Sequence, residues 1–384
     1  MTNEKKSLKV MTIIGTRPEI IRLASVIKKL DKYCDHILVH TGQNYDYELN
    51  KVFFEDLDLR DPDVVLNVKS DTLYGQLANI ISQTGEVMER VRPDAVLVLG
   101  DTNSALSLIN AKRLKIPIFH MEAGDRSFDE NVPEELNRRI VDSISDVVLA
   151  YTEYSRRNLL REGVHPSKIF VTGSPIREVY EGMMDKFKGS KILGELNLTP
   201  KQFFTASIHR EENVDIPGGL EMMVDSYNAL VEKYGFPVVV STHPRTMKRL
   251  ESLDLLKKAN EKIIWHKPFG LIDYIWLQLN SFCVVSDSGT IHEDSSILGF
   301  PAIAIRKSTE KAEAIDAGHC GISGLDRDSV LRNVAIAVED HFDLTKSPMP
   351  EAYTPFNVSS KVVRIVVGMA KIVDKKVWGD KKHV

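Results

Sequence analysis

The chain has 384 residues, of which 43% are hydrophobic and 27% are charged, and its formal net charge is -4. These values are typical of a globular protein with two domains of ordinary size, and they exclude a basic surface that would recruit nucleic acid. No apolar run reaches the roughly 18 residues that a membrane-spanning helix needs, and the three cysteines lack metal-ligand spacing. We therefore expect a cytoplasmic protein with neither a nucleic acid nor a membrane as its partner.

Short apolar runs alternate with amphipathic segments over the first half of the chain. This alternation is typical of βαβ units around a parallel sheet. After the first run, the turn Gly15–Glu19 places a proline where it can open a helix over Ile20–Leu30. The strands predicted for this first series are Leu8–Ile14, His36–His40, Val96–Leu99, Ile116–His120, Asp146–Ala150 and Lys168–Val171.

A second series of strands follows a charged stretch, Gly182–Leu198, that we predict to be helical. Two such series predict an α/β protein with two doubly wound domains and a cleft between them. We place the boundary near Gly173–Pro175, so that residues 1–175 form the first domain and residues 176–358 the second. The strands predicted for the second series are Phe203–Ile208, Pro237–Ser241, Lys262–Trp265, Phe282–Ser286 and Pro301–Ile305.

The C-terminal segment, residues 359–384, is predicted to begin as an amphipathic helix. Its apolar residues between Val362 and Val373 repeat at helical spacing. Ser359 or Ser360 is expected to cap its start. Because a terminal helix with one apolar face must dock somewhere, we expect it to pack back onto the first domain.

Three acidic residues follow predicted strand ends or open a predicted helix. Asp101 lies in Gly-Asp-Thr, Glu122 in His-Met-Glu-Ala-Gly and Glu134 in Pro-Glu-Glu. Ligands of open α/β sheets bind outside the carboxyl ends of the strands, so these carboxylates are candidates for proton transfer. A role as a helix cap or a solvated turn acid would account for any one of them, and less readily for all three.

Phosphate-binding candidates occur in both halves. In the turn Gly15–Glu19, Arg17 adds a fork of donors to a helix N-terminus, although an ordinary βα turn explains the pattern equally well. His209 and Arg210 end a strand of the second half, where such a pair can hold a diphosphate. The segment Ser286–Asp294 predicts a backbone nest for phosphate oxygens and an acid for ribose hydroxyls; a capping box is its alternative.

Later loops add Phe269, Tyr274 and Lys311 as candidates for contact with the nucleotide. Aromatic residues at such spacing also occur in cores, and that alternative stays open. No Gly-x-Gly-x-x-Gly fingerprint follows the first strand and no Walker A sequence is present, so a redox dinucleotide is not expected. No Asp-x-Asp motif is evident either, and we expect neither a cofactor nor a metal.

Taken together, the motifs resemble those of the non-hydrolysing UDP-N-acetylglucosamine 2-epimerase family, over about residues 8 to 378. The resemblance implies a GT-B fold of two Rossmann-like domains, a homodimer, and a cytoplasmic supply of sugar nucleotides for surface polysaccharide such as capsule or O-antigen. It rests on Gly15-Thr-Arg-Pro-Glu19, Gly100-Asp-Thr102, Glu122-Ala-Gly124, Pro133-Glu-Glu135 with Asn137-Arg138, His209-Arg210 with Glu212-Asn213, and Ser286-Asp-Ser-Gly289.

The family implies a reaction on a UDP-N-acetylhexosamine: inversion at C2 by reversible elimination and re-addition of UDP through a 2-acetamidoglycal. The positions that match catalytic residues of the family are Asp101, Glu122, Glu134 and His209. The positions that match UDP- or substrate-binding residues are Arg17, Arg22, Ser288, Gly289, Thr290, Asp294 and Lys311.

One branch of the family looks closer than the others. The run Val39–Asn50 and the segment Phe119–Gly124 look like those of enzymes that convert UDP-N-acetyl-L-talosamine to UDP-N-acetyl-L-fucosamine. Departures from the family pattern at Asn44 and Lys311 leave open whether a second substrate molecule activates the enzyme and how tightly the nucleotide binds.

Interconversion of UDP-N-acetylglucosamine and its 2-epimer remains the alternative within the family. Outside it, a GT-B glycosyltransferase would need an acceptor and would not exchange the C2 proton, and a sugar-nucleotide sensor would bind without turnover. The three acidic residues favour the epimerase.

Overall fold

The computed structural model describes residues 8–43, 47–306, 309, 311–341 and 349–379, without the side chains of residues 47–50 and 211–212. The chain divides into two compact units. Unit 1 comprises Met1–Gly182 and Pro355–Val384, and unit 2 comprises Met183–Thr354.

The helices cover most of the chain between the strands. In chain order they are α1 (Arg17–Tyr33), α2 (Tyr47–Asp56), α3 (Leu73–Val91), α4 (Leu108–Arg113), α5 (Pro133–Ile144), α6 (Glu153–Arg161), α7 (Ile176–Lys188), α8 (Ile192–Glu195), α9 (Glu211–Val214), α10 (Gly219–Tyr234), α11 (Pro244–Ser252), α12 (Leu271–Asn280), α13 (Ile291–Leu298), α14 (Ala312–Asp316), α15 (Arg327–His341) and α16 (Val358–Val373). Short 3-10 turns occupy Asn103–Ser107, Pro166–Lys168, Leu255–Lys257 and Glu351–Tyr353, and a π-helical turn occupies Asp374–Trp378.

Unit 1 is built on a parallel sheet. Its described strands are β1 (Lys9–Ile14), β2 (Asp35–His40), β3 (Val64–Val65), β4 (Ala95–Leu99), β5 (Ile118–Met121), β6 (Val147–Ala150) and β7 (Ile169–Val171). They lie in the order β3-β2-β1-β4-β5-β6-β7. The direction of winding reverses between β1 and β4, and loops that follow the strands diverge at such a point and leave room for a ligand.

Unit 2 repeats this architecture. Its described strands are β8 (Phe204–Ser207), β9 (Val238–Ser241), β10 (Ile263–His266), β11 (Cys283–Ser286), β12 (Ala302–Ile305) and β13 (Cys320–Ser323), in the order β10-β9-β8-β11-β12-β13. All are parallel, and the winding reverses between β8 and β11. Ser207 pairs with Ser286, so the turns after these two strands start side by side.

The cores of both units are formed by strands that are apolar on both faces, because helices cover each sheet on both sides. Every strand predicted from the sequence lies within two residues of an observed strand. The helical prediction for Gly182–Leu198 was wrong in its bounds, because α7 starts at Ile176 and the chain is not helical between α7 and α8. Among the described residues, no helix is both long and apolar enough to cross a membrane.

The C-terminal helix α16 packs against α1. The expected serine cap was wrong: Asn357 is the N-cap residue, and Ser359 and Ser360 lie inside the helix. Ser359 N donates to Glu178 Oε2 at 2.9 Å, and Lys29 Nζ donates to Ser360 Oγ at 2.5 Å. The two serines therefore join the helix to α7 and α1 instead of capping it.

Candidate active site

Two of the predicted catalytic carboxylates share one arginine at the carboxyl ends of β4 and β5. Arg138 Nε donates to Asp101 Oδ2 at 3.0 Å, and Arg138 Nη2 also bonds Asp101. Arg138 Nη1 donates to the backbone oxygen of Glu122 at 3.1 Å, and its Nη2 lies 3.6 Å from Glu122 Oε1. A fixed guanidinium thus holds Asp101 and Glu122 near each other.

Glu122 is held on its other side by Arg22. Arg22 Nη1 donates to Glu122 Oε2, and both side chains are almost fully buried. The backbone of Glu122 has φ +60°, a left-handed conformation that costs a non-glycine residue about 1 kcal/mol. Arg22 was predicted to bind substrate; its observed partner is the Glu122 carboxylate, and a direct contact with substrate stays a prediction.

The environment of Asp101 favours its protonated form. Burial raises the pKa of Asp101, and the charges of Glu122 and Glu134 raise it further, against the lowering effect of Arg138. Burial alone would lower the pKa of Arg138, but Asp101, Glu122 and Asp125 raise it well above its usual value. An acid whose pKa is moved toward neutrality beside a permanent cation is suited to proton transfer near working pH.

The two acids in the first turn of α5 have different environments. Glu134 is exposed, and its charge reaches Asp101. Glu135 is buried; its Oε2 accepts from Ser127 N at 2.9 Å, and its Oε1 accepts from Arg139 Nε at 3.0 Å. Glu135 therefore fixes the loop before α5, while Glu134 remains the acid of this pair that is predicted to be catalytic.

The turn Gly15–Glu19 does not offer its N-terminal N–H groups to a phosphate. Glu19 Oε2 accepts from Gly15 N at 2.9 Å and from Thr16 N at 2.7 Å, and its Oε1 accepts from Thr102 Oγ1 at 3.0 Å. The side chain of Glu19 thus takes two N–H groups that precede the helix, as an acid at the third helical position does in a capping box. Burial raises the pKa of Glu19 to about 7.

Arg17, at the start of the same helix, has an exposed side chain whose guanidinium lies 5.7 Å from the ring centre of Phe53. Its role in binding UDP stays a prediction.

In unit 2, Asp287 organises the turns after β8 and β11. Its carboxylate is fully buried and accepts from His209 N at 2.9 Å, from Arg210 N at 2.8 Å and from Asn213 Nδ2 at 3.1 Å. His209 Nδ1 lies 3.2 Å from Asp287 Oδ1, while 48% of the His209 side chain is exposed. Asp287 therefore holds the imidazole of His209 with one edge toward solvent.

Two guanidinium groups converge on Gly289. A side chain at this glycine would place its Cβ 3.4 Å from Arg210 Nη2 and 3.9 Å from Arg306 Nη1. Beside it, Thr290 Oγ1 donates to Asp294 Oδ2 at 2.7 Å. This cradle of a glycine and two arginines suits a diphosphate. The Thr290–Asp294 hydrogen bond shows that the predicted ribose acid already has a partner within its own helix.

The three later candidates lie among other side chains of unit 2. The ring of Phe269 stacks on His266 with centroids 4.0 Å apart, and Phe269 packs against the core. Burial raises the pKa of Tyr274 to about 12. Lys311 is buried with its Nζ 3.9 Å from Glu293 Oε2. Contact of these three residues with a nucleotide stays a prediction.

The sequence assigned no function to several groups that shape both sites. Arg138 lies in the motif Asn-Arg and Asp287 in the motif Ser-Asp-Ser-Gly, both of which support the family resemblance. Their place in these motifs was the signal in the sequence that could have indicated a function. Arg306 directly follows β12 and carried no comparable signal. The run around Asn44 lies outside the described residues. Within the described part of the chain, no cluster of three or more His, Cys, Asp or Glu residues could hold a metal ion.

Comparisons with known proteins identify relatives of this chain. A family model described as UDP-N-acetylglucosamine 2-epimerase matches residues 28–367. The structure of a UDP-N-acetylglucosamine 2-epimerase from Rickettsia bellii is 47% identical with a TM-score of 0.90, covering 97% of this chain and 99% of that one. The Methanocaldococcus jannaschii UDP-GlcNAc 2-epimerase, solved in complex with UDP-GlcNAc and UDP, is 34% identical with a TM-score of 0.85, covering 94% and 100%.

A further relative is the UDP-2,3-diacetamido-2,3-dideoxy-D-glucuronate 2-epimerase of Pseudomonas aeruginosa. It is 33% identical over 333 residues, which are 85% of this chain and 91% of the relative. Its name shows that relatives of this chain differ in the UDP-sugar on which they act.

Two Rossmann-like units, each doubly wound around a parallel sheet, define an α/β protein of the GT-B class. Because the family model covers most of its length, the chain belongs to the UDP-N-acetylglucosamine 2-epimerase family. It is an isomerase of that family.

Proposed function

We propose that the enzyme inverts C2 of a UDP-N-acetylhexosamine by reversible elimination and re-addition of UDP. The observation that carries this proposal is the pair Asp101 and Glu122, two carboxylates at neighbouring strand ends that share Arg138. An inversion needs a proton removed from one face of C2 and returned to the other, and two acidic groups with different partners can divide these tasks.

The chemistry starts from a C2 proton that no adjacent carbonyl acidifies. Cleavage of the bond between C1 and the diphosphate oxygen builds positive charge at C1, which makes the C2 proton removable. UDP leaves with the bonding electrons, the base takes the proton, and a 2-acetamidoglycal remains. Return of a proton to the opposite face of C2 and of UDP to C1 completes the inversion with all atoms balanced.

In this proposal the residues of the two units have different roles. Asp101, Glu122 and Glu134 of unit 1 share the base, acid and cation-stabilising roles. His209 and the two arginines at Gly289, all in unit 2, stabilise the departing diphosphate. The proposal requires that groups of both units act on one substrate molecule.

The proposal also concerns which UDP-N-acetylhexosamine is the substrate. The run Val39–Asn50 and the segment Phe119–Gly124 support UDP-N-acetyl-L-talosamine as substrate and UDP-N-acetyl-L-fucosamine as product. The Methanocaldococcus jannaschii relative, solved with UDP-GlcNAc, supports the alternative substrate UDP-N-acetylglucosamine. We propose that either product supplies a surface polysaccharide.

The test is NMR of the purified enzyme in deuterated water with these two substrates and the L-rhamnosamine analogue. We expect deuterium at C2 of the preferred substrate and slow release of free UDP and glycal. Product that keeps protium at C2 would refute the elimination mechanism. A requirement for an acceptor would instead support a GT-B glycosyltransferase.

Variants test the assignment of the carboxylates. Asp101→Asn and Glu122→Gln remove one ionisable group each without a change in size, and we expect turnover to fall about 10²- to 10⁴-fold while UDP still binds. Glu86→Gln removes an exposed carboxylate on α3 and is the matched control. Near-normal turnover in either of the first two variants would show that the altered carboxylate is not catalytic.

A further inference from the structure

A buried histidine beneath the paired carboxylates has no part in the proposed chemistry. His120, on β5, has no solvent exposure. Its Nδ1 lies 2.8 Å from Asp142 Oδ1, and its Nε2 lies 2.8 Å from the backbone oxygen of Gly100. Both ring nitrogens therefore face oxygen atoms at hydrogen-bond distance.

Both of these contacts are met by a hydrogen-bond donor on the ring. The carbonyl oxygen of Gly100 can only accept a hydrogen bond, and an ionised carboxylate can only accept as well. Asp142 also accepts from Arg126 Nη2 at 2.7 Å and from Gly124 N at 3.1 Å, so its carboxylate already acts as an acceptor toward two other donors. A neutral imidazole would direct a lone pair at one of the two oxygens, whereas the imidazolium donates to both.

The pair connects the turns that carry the two catalytic candidates. Gly100 immediately precedes Asp101 in the chain. Asp142 Oδ2 accepts from Gly124 N at 3.1 Å, and Gly124 lies two residues after Glu122. One buried histidine–carboxylate pair thus fixes the backbone on both sides of the gap that Arg138 spans with its side chain.

Asp142 of this pair is also held by the guanidinium of Arg126. Arg126 Nη2 donates to Asp142 Oδ2 at 2.7 Å, and Arg126 Nε donates at 2.9 Å to Oε1 of Glu162, the residue that follows α6. Rotation of Asp142 away from His120 would therefore also break its contacts with Gly124 and Arg126 in the loop after β5.

We propose that His120, doubly protonated and paired with Asp142, is a positioning residue that holds Asp101 and Glu122 at the separation needed for transfer of the C2 proton. The inference rests on the proposed function, because it concerns the same carboxylates. His120 touches neither carboxylate side chain in its described hydrogen bonds; it acts through the backbone at Gly100 and, by way of Asp142, at Gly124.

The same sheet contains a matched control. His36, on β2, is also buried with a carboxylate on its Nδ1, Asp31 at 2.6 Å. Its Nε2 lies 2.9 Å from Thr12 Oγ1, a hydroxyl that can donate or accept. His36 is the second residue of its strand, whereas His120 lies near the carboxyl end of β5. His36→Gln therefore removes a buried histidine–carboxylate pair without disturbing the turns of the active site.

The kinetic test compares His120→Gln, His120→Leu and His36→Gln by the rate of C2 deuterium exchange and by calorimetric titration with UDP. A misplacement of about 1 Å costs about 10²-fold in rate, and we expect a loss of that order in kcat for His120→Gln. Because glutamine keeps a donor and leucine does not, His120→Leu should lose more. KM and the Kd of UDP should stay within about threefold in all variants, and His36→Gln should keep wild-type kcat.

A spectroscopic test on the wild-type enzyme does not depend on whether the variants fold. Nitrogen-15 NMR at neutral pH should show two protonated ring nitrogens for His120. A lone-pair nitrogen in this ring would overturn the inference, and so would a wild-type kcat in His120→Gln or equal losses of kcat and UDP affinity. If the wild-type enzyme does not exchange the C2 proton, the proposed function itself is refuted. If the wild-type enzyme exchanges this proton and His120→Gln does so at the same rate, only the inference about His120 is refuted.

Discussion

The carboxyl of Glu19 makes the stability of unit 1 depend on pH in a direction that is unusual for an acid. Its side chain is 2% exposed, and burial raises its pKa from 4.5 to about 7. One pKa unit corresponds to about 1.4 kcal/mol of differential stabilisation. The rise of the Glu19 pKa therefore corresponds to about 3 kcal/mol between acid and alkaline conditions.

The sign follows from proton binding in the two states. Below pH 4.5 the carboxyl is neutral in both states and contributes its full stability. Between pH 4.5 and about 7 the unfolded chain releases the proton while the folded protein retains it, so stability falls as pH rises through this window. Above the folded pKa the ionised group is buried and the whole amount has been lost.

Glu19→Gln removes this titration and keeps the size of the side chain. We expect the unfolding free energy of the wild type relative to this variant to decrease by about 3 kcal/mol from pH 4 to pH 8. Hydrogen exchange of peptides from β1 and α1 measures the unfolding free energy of unit 1 alone. This measurement does not require that the chain with its two units unfolds in a single two-state transition. Glu86→Gln, which replaces an exposed acid on α3, is the control for the substitution itself.

If the unfolding free energy of the wild type relative to Glu19→Gln does not change with pH, the raised pKa of Glu19 is refuted. A difference that increases with pH would show that the donors around the carboxylate outweigh its burial: Gly15 N, Thr16 N, Thr16 Oγ1 and Thr102 Oγ1 all favour the ionised form.

Three further predictions concern Gly124, Gly289 and Arg138. Gly124→Ala places a Cβ 2.4 Å from the backbone oxygen of Ser155 at a left-handed φ of +81°, so we expect unit 1 to lose more than about 2 kcal/mol of stability, measured by thermal unfolding. Gly289→Ala puts a methyl group between two guanidinium groups at ordinary contact distance, so calorimetry should show an intact fold with about tenfold weaker UDP binding. Arg138→Gln removes the charge that lowers the pKa of Asp101, so the pH–rate profile should shift toward higher pH.

Each of these predictions has a control and a contradicting result. Gly182→Ala, where a Cβ meets no other atom, should leave stability unchanged or slightly raised, and a loss equal to that of Gly124→Ala would remove the steric argument. Unchanged UDP affinity in Gly289→Ala would show that the cradle does not hold the diphosphate. A pH–rate profile of Arg138→Gln that stays in place would show that Asp101 is not the titrating group.

The strands were predictable because parallel strands covered on both faces are continuous apolar runs. The two strands that the sequence did not indicate lack such a run. β3 has two residues, and β13 reads Cys-Gly-Ile-Ser with its two middle residues exposed. The start of α7 at Ile176, directly after a proline, was not indicated, because the predicted helix began only at Gly182.

The carboxylates could be found from the sequence because each follows a strand or opens a helix. Their partners could not, because the ion pairs join distant segments: Arg138 and Asp101 are 37 residues apart, and Arg22 and Glu122 are 100 apart. The turn Gly15–Glu19 illustrates a second limit. A helix N-terminus and an acid three residues later fit both an anion site and a capping box, and only coordinates show which group takes the N–H donors.

The ion pairs in unit 1 solve a problem that the proposed reaction creates. A nucleotide diphosphate brings negative charge toward carboxylates that must accept and donate protons, and unpaired carboxylates would repel it. Arg22 and Arg138 offset that repulsion, but a guanidinium also stabilises the ionised form and so weakens a carboxylate as a base. Burial and the neighbouring acids act in the opposite direction on Asp101 and raise its pKa above the ordinary value. The site can therefore offset the charge of the substrate and still contain a carboxyl whose pKa lies above its ordinary value, provided that the carboxylates cannot move apart.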